Sequence, residues 1–193
     1  MSETVKKCAN LQKSLAWCQG TPEMPGIKRR VYYIAKQLIV KFPSLPLDDL
    51  GRPTSATYTG DFVLEEGAKW KYIDHLPKKA EFKSETQGEV PSQTQKNTVT
   101  IVHPAVGEEA AAATCYLLNS DNVFLVEDMK GLFHVVGSEY FDSVTTVALD
   151  FGQGETGSTG TTIVLEATDK VAVPVYKGKI EAEAGTINEA ASL

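Results

Sequence analysis

The chain has little cysteine, little histidine and no long apolar run. Its three cysteines, Cys8, Cys18 and Cys115, are an odd number among 193 residues and share no close spacing. They offer neither a disulfide framework nor a zinc-binding pattern, so free thiols in a reducing compartment are expected. No stretch reaches the roughly 18 apolar residues that a membrane-spanning helix requires. Near the N-terminus, Lys6 and Lys7 are followed by Gln12, Lys13 and Gln19 before any apolar segment develops, so a secretory signal is not expected.

A basic stripe of the kind that sequence-specific DNA binding needs is also lacking. Residues 1–100 carry 15 Lys and Arg against 11 Asp and Glu, a balance of +4, whereas residues 101–193 carry 4 against 14, a balance of −10. An acidic half beside a mildly basic one is compatible with solvated surface, and it also suits head-to-tail stacking of identical subunits. Hydrophobic residues make up 42% of the chain, enough for a core without disulfide or metal support.

Apolar positions at Val5, Cys8, Leu11, Leu15 and Cys18 recur every three or four residues behind Ser2, which predicts a short N-terminal helix. Two prolines and two glycines between Cys18 and Gly26 then predict a linker. Residues 1–26 are thus expected to form an arm, residues 27–180 a body, and residues 181–193, small and polar, a flexible tail.

Within the body the period is that of strands. Segments 31–35, 38–42, 58–64, 70–73, 80–86, 98–102, 123–127, 132–136, 144–151, 161–167 and 171–176 are β-branched or aromatic and separated by turn residues. In segment 80–86, Ala80, Phe82 and Ser84 alternate with Glu81, Lys83 and Glu85, the mark of a half-solvated antiparallel strand. Residues 48–53 read as a turn and 87–95 as a projecting polar loop. One helix is predicted from Val106 or Glu108 to Leu118, where two acids precede four consecutive alanines. The sum is a mainly β fold: an antiparallel β-sandwich or barrel flanked by one α-helix, with N- and C-terminal arms.

Motifs suggesting chemistry are sparse. Gly152-Gln-Gly-Glu-Thr-Gly157 matches a dinucleotide-binding pattern, but strand-forming Thr161–Leu165 follows where a helix should receive the phosphates, and Glu155 repels them. A hairpin loop is expected there. His75, His103 and His134 lie too far apart to signal a metal site, and surface or strand-end positions are expected for them. Cys115 lies mid-helix among alanines, where a buried, inert thiol is the usual outcome. The adjacent acids Asp48 with Asp49 and Glu65 with Glu66 read as turn and surface residues. Tyr32, Tyr33, Trp70, Tyr72 and Tyr176 are placed in strands, core by default, with an exposed subset available to an interface or a carbohydrate. No catalytic, cofactor-binding or metal-ligating residue is assigned, no cofactor is expected, and an enzyme is not expected.

In order along the chain, Cys18-Gln-Gly20, Pro25-Gly-Ile-Lys-Arg-Arg-Val-Tyr-Tyr-Ile34, Ile39-Val-Lys-Phe-Pro43, Val126-Glu-Asp-Met-Lys-Gly131, Val136-Gly-Ser138, Thr161–Leu165 and Val173-Pro-Val-Tyr-Lys-Gly178 resemble prophage-encoded virion proteins of the tail-tube (major tail protein) type. The resemblance implies a virion structural protein assembled in the bacterial host cytoplasm. Its subunits would form hexameric rings that stack into a conduit for DNA and meet neighbouring virion proteins, with no membrane partner. It carries over no catalytic residues. A carbohydrate- or protein-binding β-sandwich module is the alternative.

Overall fold

The computed structural model describes residues 14–188. Most of the expected N-terminal helix lies outside the described residues, and residues 14–26 contain neither helix nor strand. The body opens with β1 (Ile27–Ala35), β2 (Ile39–Lys41), β3 (Val63–Leu64), β4 (Lys71–Asp74), β5 (Glu81–Gln87) and β6 (Thr94–His103). Helix α1 (Glu108–Leu117) follows, then β7 (Asn122–Asp128), β8 (Phe133–Val136), β9 (Val144–Asp150) and β10 (Gly160–Asp169). The chain closes with β11 (Val175–Tyr176), β12 (Ile180–Ala182) and β13 (Gly185–Ile187).

Two antiparallel sheets, ordered β11-β8-β7-β1-β4 and β5-β6-β10-β9, pack face to face. This is the expected β-sandwich flanked by one helix. Val31, Phe124, Val126 and Val136 from the first sheet meet Val99, Ile101, Ile163 and Leu165 from the second. A second apolar layer covers the other face of the five-stranded sheet, where Tyr32, Ile34, Leu125 and Val135 meet Phe62, Trp70, Tyr176 and Ile180. Because β7 is buried on both faces, Val123-Phe-Leu-Val126 is a continuous apolar run and not an alternating one. By contrast, β9 and most of β5 alternate between exposed and half-buried residues, as strands with one face toward solvent do.

Turn chemistry sets the β7–β8 hairpin. The Asp128 carboxylate accepts the backbone N–H groups of Lys130 and Leu132, each at 2.8 Å, and Gly131 supplies φ 87°. In the second apolar layer, Phe62 lies 5.5 Å from Phe42, 5.3 Å from Trp70 and 5.0 Å from Tyr176 between ring centroids. The Tyr176 hydroxyl donates to the Lys179 carbonyl and accepts the Phe62 N–H, so its polar end is satisfied in the core.

Several expected elements differ. The strand expected at 58–64 is confined to Val63–Leu64, since Gly60 takes φ 90° and interrupts it. That expected at 171–176 shrinks to its last two residues, because Val173 has φ 46° and Pro174 has no N–H to donate. The polar loop narrows to residues 88–93, as Thr94, Gln95 and Lys96 pair with Gln87, Thr86 and Glu85. The segment expected to be a loose tail from Glu181 instead forms the β12–β13 hairpin with Ile180 and Ala182 buried. The Trp70 N–H donates to the Glu181 carbonyl and the Trp70 carbonyl accepts the Glu183 N–H, which locks that hairpin beside the aromatic cluster. Residues 189–193 lie outside the described residues.

Candidate functional site

The four-stranded sheet has two unlike edges. On β5, Glu81, Lys83 and Glu85 place a charge at every second residue, a usual guard against unwanted strand pairing. On β9, Val144-Thr-Thr-Val-Ala-Leu149 has no charge before Asp150. This strand pairs with β10 on one side only, and among the described residues its other side makes no backbone hydrogen bond. Apolar side chains frame it: Val144 is 59% exposed, Phe141 42% and Phe151 70%. A seven-residue edge of this composition is a ready template for a strand from another chain.

The outer face of this sheet is polar and short of unpaired cations. Across one row lie Lys83, Thr98, Glu166 and Val144; across the next, Glu81, Thr100, Val164 and Thr146. Both lysines of this face are engaged, Lys96 with Glu166 at 2.8 Å and Lys83 with Glu85 at 3.6 Å. Cations held by carboxylates are poorly placed to replace the counterions of a nucleic-acid backbone.

Helix α1 packs against β9 and buries only Ala110 and Leu117. Glu108 and Glu109 occupy its first turn, where the helix dipole favours acids. Between helix and sheets opens a cleft of about 260 Å³ whose apolar lining includes Tyr33, Ala113, Leu117, Val147 and Ile163. Asp74, His103 and Glu109 lie at its polar parts. Arg30 grips Asp74 through two hydrogen bonds of 2.7 and 2.9 Å and stacks 4.0 Å over the Tyr72 ring. That guanidinium holds the Asp74 carboxyl below its ordinary pKa.

A smaller cavity of about 130 Å³ borders Phe42, Tyr58, Tyr140 and Asp169. Asp169 is buried, accepts the Tyr58 hydroxyl at 3.1 Å and the Lys170 N–H at 2.6 Å, and has its pKa raised chiefly by burial. These contacts tie the segment around Tyr58 to the end of β10, a bracing role.

The residues singled out by sequence are dispersed. Gly152–Gly157 forms a loop with a short 3-10 turn, and strand β10 follows, in keeping with the reading as a hairpin loop. Asp48 is turned into its own loop, accepting from the Leu50 and Arg52 backbones and pairing with the Arg52 side chain. Among the described residues no three His, Cys, Asp or Glu side chains converge as metal ligands. Trp70 and Tyr176 are 1% exposed and belong to the core, whereas Tyr72 is 41% exposed. One expectation needs correction. Cys115 is exposed, because it lies on the solvent side of a helix that buries so little of its surface. His75 lies just past the end of β4, as a strand-end position was expected, but it is buried and not at the surface, with neither ring nitrogen hydrogen-bonded among the described residues.

Burial holds the His75 pKa below its ordinary value of 6.5, against the opposing pull of the Leu76 and Lys28 backbones. The unfolded chain therefore takes up a proton that the folded protein resists. Stability from this group is complete above about pH 6.5 and is lost as pH falls toward the depressed value. His75→Phe is expected to gain about 1 kcal/mol at neutral pH by removing an unsatisfied polar ring. It should also lose less stability than the parent on acidification, as read from urea midpoints at about pH 7.5 and about pH 5.5.

No protein-family model matches the chain, and neither a curated protein nor a solved structure does.

Proposed function

We propose that this protein is a self-assembling virion subunit of the tail-tube type, whose copies join edge to edge into rings that stack around a passage for DNA. The observation that carries the reading is the uncharged, one-sided β9 edge framed by Phe141, Val144 and Phe151. Natural edges of this length are commonly shortened, charged or covered; β9 has α1 packed against it but is uncharged before Asp150 and has a strand partner on one side only among the described residues, and a strand added from another copy accounts for the exposed apolar residues around it. The charged β5 edge restricts such addition to one side of the sheet. The polar outer face, with its lysines held by glutamates, suits a lumen along which DNA slides without adhering.

The hexameric ring is the form that the sequence resemblance suggests, and an edge that meets a different surface of the next copy gives such a ring when the rotation between copies closes. Sedimentation velocity over a dilution series tests the proposal. The expected result is a concentration-dependent passage from monomer to a ring-sized species that grows further as rings stack; a monomer throughout overturns it.

A further inference from the structure

Leu15 is 101% exposed and Trp17 is 66% exposed, two large apolar side chains on a segment without helix or strand. The segment is attached to the body farther along, where Glu23 pairs with Lys130 on the β7–β8 turn and Gly26 lies beside Met129. A tryptophan held in water forfeits the burial that makes this residue, with tyrosine and arginine, a frequent anchor of protein interfaces.

The cleft beneath α1 has the opposite deficit: a largely apolar hollow that the described residues leave unfilled. Alanines at positions 110 and 113, one helical turn apart, leave the space open, and Tyr33, Leu117, Val147 and Ile163 form walls suited to an indole. Glu109 and Thr114 line the same cleft and provide acceptors for the indole N–H. Charge agrees as well. Residues 1–17 carry Lys6, Lys7 and Lys13 against Glu3 alone, and the helix beside the cleft begins with Glu108 and Glu109.

We infer that the Leu15–Trp17 arm of one copy docks in the α1 cleft of a second copy, with the Trp17 ring against the half-buried Tyr33, Ala113 and Val147. Donor and acceptor are different surfaces, so each subunit gives one arm and receives one, and the contact propagates head to tail. This inference rests on the self-assembly reading and adds to it a second contact separate from the β9 edge.

The chain holds two tryptophans. Trp70 is 1% exposed and silent to quenchers, so acrylamide quenching of the full chain reports Trp17. The expected result is quenching that falls several-fold as concentration passes through assembly. Ala113→Gln, which fills the cleft and keeps a good helix former, should leave Trp17 accessible at every concentration with an unchanged circular dichroism spectrum. Trp17→Ala should raise the half-assembly concentration about tenfold or more. Protection already complete in the dilute monomer places the arm on its own body and overturns the inference. Assembly with Trp17 still open to acrylamide overturns it while the self-assembly reading survives. A chain that remains monomeric throughout overturns both.

Discussion

Replacing Trp70 with alanine is expected to lower the unfolding free energy by about 3–5 kcal/mol, the cost typical of removing a buried aromatic side chain. Trp70 is 1% exposed and packs edge-on to Phe62, which in turn touches Phe42 and Tyr176. It also joins distant parts of the chain, because its backbone N–H and C=O bind Glu181 and Glu183 of the closing hairpin. Truncation leaves a void under the five-stranded sheet and loosens the cover that Ile180 and Ala182 provide. Against a total stability of about 5–15 kcal/mol for a domain, such a loss is a large share. Trp70→Phe, which retains most of the apolar contact, should cost clearly less. Urea denaturation followed by far-ultraviolet circular dichroism measures both, and a loss below about 1 kcal/mol for the alanine variant would show that the second apolar layer is not load-carrying.

The second large effect concerns assembly. Thr146 and Ala148 are exposed on β9, and the double variant Thr146→Lys, Ala148→Lys places on this edge the kind of charge that β5 already carries. Folding should be little affected, within about 0.5 kcal/mol for each exposed site. Assembly should weaken roughly 100-fold or more, since a neighbour's strand must now approach two solvated ammonium groups. Sedimentation at matched concentrations measures the shift. Equal assembly by the variant would remove β9 from the interface, and a collapse of monomer stability would mean that these side chains pack in the single chain.

The sandwich was legible because local pattern and tertiary role agree. Glu81, Lys83 and Glu85 alternate along β5 because that strand has one wet face, and the alanine run of α1 forms a helix on propensity at a site where little is buried. The continuous run at Val123–Val126 reads as a strand, but its burial on both faces depends on segments 60–70 and 175–182, which fold over it from elsewhere in the chain. For the same reason the closing hairpin was missed: Ile180 and Ala182 acquire a reason to be buried only once Trp70 lies beneath them. The alternation of Ile180 and Ala182 with Glu181 and Glu183 was the available signal.

The candidate assembly surface was less visible. Strand order is not written in periodicity, so nothing local marks β9 as an edge; its missing charges, set against those of β5, are the trace that could have pointed there. The α1 cleft depends on how a helix crosses the gap between two sheets, and the exposure of Cys115 and the burial of His75 are likewise set by tertiary packing and not by neighbours in sequence.

Negative-stain electron microscopy of the concentrated 193-residue chain bears most directly on whether the uncharged β9 edge and the exposed arm serve self-association. Hollow rings of uniform diameter, stacking into tubes as concentration rises, are the predicted result. Isolated single subunits at every concentration, with no ring or tube in any field, would contradict it.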